Sequence, residues 1–169
     1  MTLEEAWQRG VETVTDAFLA LDRARHRQLE EKTAGLVDCK SSMQALLERV
    51  DAAGICRRCA GECCAAGKYH FTAADLLVYL VNDEPLFAPL FDNGLCPFLG
   101  SGGCLMPAGY RPFNCITFNC EAVEDLLLEE ELARFYELER VLRRLYGEIG
   151  SLLPGRTFSS ALLSLSEPR

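Results

Sequence analysis

Residues 56–64 read CRRCAGECC, and residues 96–120 read CPFLGSGGCLMPAGYRPFNCITFNC. Together these two stretches hold eight of the nine cysteines in the chain: Cys56, Cys59, Cys63, Cys64, Cys96, Cys104, Cys115 and Cys120. Thiols at this density need a common explanation, which is a set of disulfides, a metal site or a group of unrelated buried side chains. With 169 residues, of which 49% are hydrophobic, the chain can build a core without cross-links. We therefore expect metal.

The cysteines lie in a part of the chain that lacks regular structure. The segment from Asn82 to Asn119 is rich in proline and glycine, which predicts loops with at most short helical turns. A loop of that length is uncommon in a small domain unless something other than backbone pairing holds it. Metal ligation by the cysteines in the loop and by Cys120 at its end would do so, and it defines a metal-binding core over residues 56–120.

An apolar stripe with helical spacing predicts a long first helix. Thr2 and Glu5 match a capping box, in which a hydroxyl and a carboxylate satisfy backbone donors reciprocally. A second, shorter helix that includes Met43 and Val50 is predicted to end near Gly54. The stripe of the first helix consists of Trp7, Val11, Val14, Phe18 and Leu21, with Ala24 as a weak extension.

Two more helices are predicted after the first cysteine group. Thr72 and Asp75 match another capping box, at the start of a short buried helix that runs through Val81. The last strong helical pattern runs from about residue 123 to residue 147, with Cys120 at its start. We expect this helix to pack against the first one.

These patterns predict one all-α domain over residues 1–169, with long helices packed around an irregular cysteine-rich metal-binding region. Its parts are a helical segment at 1–54, the cysteine core at 56–120 and a second helical segment at 121–169. No stretch shows convincing strand alternation, and no internal repeat is visible.

The cysteine spacing is typical of zinc and iron–sulfur sites. Cys56 and Cys59 are separated by two residues, which lets two sulfurs reach one ion. Cys63 and Cys64 are adjacent, and adjacent side chains point in different directions in most backbone conformations, so we expect them to serve two ions or only one of them to be a ligand. Eight thiolates make two closed four-sulfur zinc sites, whereas an alternative is one [4Fe–4S] cluster that the other cysteines support. Zinc is favoured because no cysteine is then left over.

The order of the motifs resembles the CxxCxxCC cysteine-cluster family of zinc- or iron-chelating domains, typified by bacterial YkgJ-like proteins. The matching pieces are the cysteines at 56–64, the CPFL stretch at 96–99, Cys104, the RP dipeptide at 111–112, Cys115 and Cys120. The chain departs from the pattern by the three residues between Cys59 and Cys63, and by Ile116, where many members have arginine.

The resemblance implies metal binding by these cysteines. A similar cluster in flagellin lysine methylases looks like an iron–sulfur site. No methyl-donor domain or glycine-rich nucleotide loop is recognisable in this chain, so we do not carry that activity over.

Other residues receive lesser roles. Cys39 lies outside both groups and is interpreted as a structural thiol, and His70 as a histidine in front of a helix cap, although it could replace one sulfur as a ligand. Arg111 is a candidate to stabilise the negative thiolates, because Pro112 restricts its backbone between ligands. We find no catalytic dyad or cofactor loop, which favours a non-enzymatic protein.

Charge and targeting signals narrow the function further. The formal net charge of −8 argues against nucleic-acid binding, and no apolar run approaches the roughly 18 residues of a membrane span. The first residues, MTLEEAWQRG, do not resemble a signal peptide, so we expect the cytoplasm, where thiols stay reduced. The predicted function is a zinc-binding structural or interaction module with a protein partner. The alternatives are an iron–sulfur protein with a redox or enzyme-component role, and a protein for metal storage or delivery.

Overall fold

α-Helices dominate residues 1–58, 67–94, 96–152 and 160–165, which are the residues that the computed structural model describes. The helices within these ranges are α1 Leu3–Leu19, α2 Arg23–Glu48, α3 Ala52–Arg58, α4 Ala73–Val81, α5 Phe113–Thr117, α6 Glu121–Glu124 and α7 Glu129–Leu152. Short 3₁₀ helices cover Phe91–Asn93, Ala108–Tyr110 and Leu162–Ser164. The predicted all-α class is confirmed, and none of the described helices combines the length and apolar character needed to cross a membrane.

One small antiparallel hairpin was not expected from the sequence. Strand β1 covers Leu99–Gly100 and strand β2 covers Gly103–Cys104, with Leu99 opposite Cys104. Each strand has only two residues, which is too short for the alternation that predicts strands. The other described residues of 82–94 and 96–119 form loops and short helical turns, as predicted.

The N-terminal helices differ from the prediction. The Thr2–Glu5 capping box is present, with Glu5 N donating to Thr2 Oγ1 at 3.1 Å and Thr2 N to Glu5 Oε2 at 2.7 Å. However, α1 ends at Leu19, because Asp22 caps a new helix by accepting a hydrogen bond from Arg25 N at 2.9 Å. The second helix is therefore the longest of the described elements, and the predicted short helix near Met43 is its final part.

Helices α2 and α7 pack antiparallel and form the frame of the molecule. Lys32 Nζ lies 2.6 Å from Glu148 Oε2 near one end, and Arg49 pairs with Glu131 at the other. Between them, Leu36, Met43, Phe135 and Leu142 are fully shielded from water. The predicted pairing of the last helix with the first is therefore wrong, because the long apolar stripe of α2 covers α7 instead.

Helix α1 packs against α4 and the 3₁₀ helix Leu162–Ser164. Gly10 allows this close approach, since a Cβ at that position would lie 2.7 Å from Leu162 Cγ. Leu162 N also donates to the backbone oxygen of Phe71 at 2.8 Å, so the described part of the C-terminal tail is anchored beside the start of α4.

Helix α4 begins as predicted, because Asp75 N donates to Thr72 Oγ1 at 3.3 Å and Thr72 N donates to Asp75 Oδ2 at 2.9 Å. The predicted helix 123–147 is instead two helices. Helix α7 starts afresh at Glu129, where Leu128 N donates to Glu131 Oε2 at 3.0 Å. Cys120 therefore precedes the short α6 and not the last long helix.

An aromatic cluster attaches the irregular segment to the helices. Trp7 of α1 lies 5.3 Å from Phe71, 5.6 Å from Phe87 and 5.8 Å from Phe98, measured between ring centroids. Phe71 and Phe98 are fully buried. Buried aromatic side chains supply much of the apolar contact in a core. Because Phe98 follows Cys96 by two residues and Phe71 follows His70 directly, the cluster also fixes the backbone beside two candidate metal ligands.

Candidate metal centre

Five of the eight candidate cysteines lie in the described part of the chain. Cys56 is in α3, Cys96 precedes the hairpin, Cys104 ends β2, Cys115 is in α5 and Cys120 precedes α6. The three others, Cys59, Cys63 and Cys64, lie outside the described residues. Four of the five described cysteines are at the surface, and Cys96 is buried.

Cys96 lies against Gly67, which follows the first cysteine group in sequence. A Cβ on Gly67 would lie 2.5 Å from Cys96 Sγ, so the thiol occupies space that the glycine leaves open. Gly67 follows Cys64 by three residues. Burial raises the pKa of the Cys96 thiol.

The hairpin places Cys104 near Cys96. Leu99 N donates to the carbonyl oxygen of Cys96 at 3.0 Å, and Leu99 pairs with Cys104 across the ladder. A turn that returns the chain between two cysteines is a common way to bring two sulfurs to one ion. The sequence predicts both cysteines as ligands but not this turn.

Cys56 and Cys120 belong to neighbouring elements. Helix α3, which holds Cys56, contacts α6. The carbonyl oxygen of Cys120 accepts hydrogen bonds from Val123 N at 2.9 Å and from Glu124 N at 3.1 Å, which fixes this cysteine at the start of α6. The elements that carry the first and last cysteines of the core are therefore neighbours.

Cys115 has His70 beside it. The distance from His70 Nδ1 to Cys115 Sγ is 3.3 Å, although the two residues are 45 positions apart in the chain. His70 precedes the Thr72 cap of α4, as expected, and its ring lies against a candidate ligand.

A buried charged network lies close to Cys115. Lys40 of α2 is fully shielded from water, donates to the carbonyl oxygen of Arg111, and has its Nζ 3.7 Å from Asp75 Oδ1. Tyr146 donates to the same Asp75 oxygen, and Thr72 donates to Asp75 Oδ2 from its amide at 2.9 Å and its hydroxyl at 2.7 Å. The network joins α2, α4 and α7 to the loop before Cys115.

The charges of this network also act on the Cys115 thiol. Burial lowers the pKa of Lys40 to about 8, while the charges of Asp75 and Cys115 favour the protonated lysine. A thiolate at Cys115 therefore gains from the ammonium group nearby. Metal-bound thiolates are stabilised by such neighbouring cations and hydrogen-bond donors.

Two further donors near the cysteines are buried without a hydrogen-bond acceptor among the described residues. These atoms are Tyr79 Oη and Asn119 Nδ2. The charge of Cys104 acts on Tyr79, whose pKa is raised mainly by burial, and Asn119 directly precedes Cys120. Buried polar groups normally have partners, and an anionic sulfur–metal centre beside these donors would provide them.

Arg111 contributes in a different way from the one expected. Its Nε donates to the carbonyl oxygen of Met106 and its Nη1 to Gln44 Oε1, each at 3.4 Å. Its own carbonyl receives the Lys40 ammonium. Lys40 is a cation of this network whose charge interacts with Cys115, and the sequence did not predict this role. The signal was available, because Lys40 interrupts the apolar stripe of α2 at a core position between Leu36 and Met43.

The described residues alone do not complete a metal site, since no three of their histidine, cysteine or carboxylate groups are close enough together to hold an ion. The donor set nevertheless fits zinc or iron in its chemistry, with thiolates, one imidazole and cationic or polar donors around them. Cys39 lies apart from this set, buried between α2 and α7, where its Sγ donates to the carbonyl oxygen of Leu138 at 3.3 Å.

Comparisons with known proteins add no family to this geometry: no family model, curated protein or solved structure matches the chain. The resemblance to the cysteine-cluster family therefore stays a prediction that rests on the motifs.

Proposed function

We propose that this protein binds zinc through its eight-cysteine core, Cys56, Cys59, Cys63, Cys64, Cys96, Cys104, Cys115 and Cys120. The zinc is a structural centre that ties the irregular segment to the helical frame. The helices then present a surface to a protein partner. Because thiolate ligands need a reducing compartment, the protein works in the cytoplasm.

The position of Cys96 carries this proposal. Its sulfur lies over Gly67, at the end of the segment that contains Cys59, Cys63 and Cys64. Cys96 is thereby close to a glycine that follows the first cysteine group in sequence. The contact of α3, which holds Cys56, with α6 supports the proposal from the other end of the core. Eight thiolates are the number that two closed four-ligand zinc sites need.

Elemental analysis and an absorption spectrum of protein purified without oxygen test the proposal. We expect about two zinc ions per chain and no colour, because Zn²⁺ has a filled d shell. A brown protein with iron and sulfide would overturn the choice of zinc in favour of an iron–sulfur cluster. A colourless protein without metal would overturn metal binding altogether.

A further inference from the structure

His70 is held in place on both sides of its backbone. Its amide donates to the carbonyl oxygen of Gly67 at 3.0 Å, and the next residue, Phe71, is buried in the aromatic cluster with Trp7 and Phe98. Thr72 then caps α4. These contacts therefore hold the imidazole in a fixed position beside Cys115.

Cys115 is fixed in a similar way. Its amide donates to the carbonyl oxygen of Pro112 at 3.0 Å, within α5 and its cap. Phe113 of the same helix packs edge-on against Tyr146, with 5.5 Å between the ring centroids. The contact between His70 and Cys115 is thus made by two anchored elements.

The separation of the two donor atoms suits a shared metal ion. Zinc binds imidazole nitrogen at about 2.0–2.1 Å and thiolate sulfur at about 2.3 Å, and a tetrahedral angle between these bonds gives about 3.6 Å between nitrogen and sulfur. The observed distance between His70 Nδ1 and Cys115 Sγ is 3.3 Å. A change of a few tenths of an ångström brings both atoms into the first coordination sphere of one ion.

The local charge balance also favours a neutral ligand here. Four thiolates around Zn²⁺ carry a net charge of −2, and the positive charge of Lys40 acts on both Asp75 and Cys115. The whole chain carries a formal net charge of −8. A neutral imidazole in place of one thiolate lowers the negative charge that this region must accommodate.

We propose that His70 is a metal ligand through Nδ1 and shares one zinc ion with Cys115, which gives that site three sulfurs and one nitrogen. The inference rests on the proposed zinc function and changes its donor count. Nine donors then compete for eight positions, so one of the eight cysteines lies outside the first coordination sphere.

Zinc-edge X-ray absorption on the full-length, zinc-loaded protein tests the inference. We expect one nitrogen among eight ligand atoms, at about 2.0–2.1 Å, with the sulfurs at about 2.3 Å. In His70→Asn the nitrogen signal should vanish, because the amide can donate a hydrogen bond to the thiolate but is not a zinc ligand. His70→Cys should keep the zinc count and give sulfur ligands only. His26→Asn, which changes a histidine packed edge-on against Phe18, should leave the spectrum unchanged.

A competition titration with a coloured chelator separates ligation from hydrogen bonding. Loss of a hydrogen-bonding partner of a ligand typically costs roughly 10–100-fold in metal affinity. For His70→Asn we expect the affinity of one zinc ion to fall by more than about 100-fold. All-sulfur ligation in the wild-type protein, or a nitrogen signal that persists in His70→Asn, would overturn the inference and leave the proposed function standing. A wild-type protein that binds no zinc would overturn both.

Discussion

Lys40 Nζ lies 3.7 Å from Asp75 Oδ1, and both side chains are shielded from water. The pair connects the frame helix α2 to α4, directly beneath the cysteine-rich segment. Burying two charges is costly, and the cost is offset only when the geometry and the remaining hydrogen bonds are good. Here Tyr146 and Thr72 satisfy the carboxylate, and the Arg111 carbonyl accepts from the ammonium.

Removing one partner of this pair should destabilise the fold strongly. Lys40→Met leaves Asp75 buried without its counter-charge, and we expect the free energy of unfolding to fall by about 3–5 kcal/mol. Urea denaturation measures this loss. The control is Lys32→Met, which breaks a partly exposed pair with Glu148 and should cost less than about 1 kcal/mol. Equal losses in the two variants would contradict the buried network.

The same lysine predicts a pH dependence. The pKa of Lys40 is lowered to about 8 in the folded protein, against 10.5 ordinarily, because the side chain is buried. Between these values the unfolded chain binds more protons at Lys40, so its contribution to stability increases as the pH rises. Asp75, Tyr146, Cys39 and Cys115 are the charged or titratable groups that act on it.

Urea denaturation at about pH 7.5 and about pH 9.5 checks this sign. Relative to the double variant Lys40→Met with Asp75→Asn, which removes both charges and keeps the thiols and Tyr146, the wild type should gain about 2 kcal/mol across that range. A loss of relative stability with rising pH would show that Lys40 is not the buried, pKa-lowered group described above.

Gly67 should be intolerant of a methyl group when metal is bound. In Gly67→Ala the new Cβ meets Cys96 Sγ at 2.5 Å and Cys96 Cβ at 3.1 Å. A sulfur that is bound to metal cannot rotate away, so we expect a loss of about 1–3 kcal/mol and a reduced zinc content. Gly102→Ala is the matched control, because nothing lies within 4 Å of the added Cβ.

The cost of Gly67→Ala should also be measured after a chelator has removed the metal. Without metal the Cys96 side chain is able to move, and the cost of Gly67→Ala should shrink. A cost that is the same with and without metal would mean that Cys96 is constrained by packing alone.

Removal of the metal should loosen the cysteine core before the frame. Closed zinc sites contribute on the order of 10 kcal/mol to the folded state, whereas α2 and α7 are held by buried apolar contacts such as Met43 with its neighbours. Hydrogen exchange after chelation should therefore rise in residues 96–120 far more than in residues 29–47. Equal protection of the two segments before and after chelation would contradict a structural role for metal.

The sequence predicted those features that depend on local patterns. Thr2 and Thr72 mark helix starts because capping is a short-range interaction, and both starts were confirmed. The break after Leu19 also had a local sign in Asp22, but the continuing apolar stripe outweighed it. The pairing of α2 with α7 depends on which apolar stripes meet in three dimensions, which local sequence patterns do not determine.

The candidate metal centre likewise has features that local sequence patterns predict and features that they do not. The cysteine spacing predicts which thiols are metal ligands, since two residues between cysteines let both sulfurs reach one ion. The contact of His70 with Cys115 joins positions 45 residues apart, and no local pattern announces it. Lys40 is an intermediate case, because a lysine on an apolar stripe predicts burial but does not identify Asp75 as its partner.

The most direct test of metal binding is native mass spectrometry of the intact chain, kept free of oxygen, beside its Cys59→Ser and Cys39→Ser variants. The account predicts about two zinc ions on the wild type, with the protons of the ligating thiols displaced. Cys59→Ser should carry less metal, whereas Cys39→Ser should match the wild type, because Cys39 lies between α2 and α7 and away from the core. A wild-type mass equal to that of the bare chain would contradict the account.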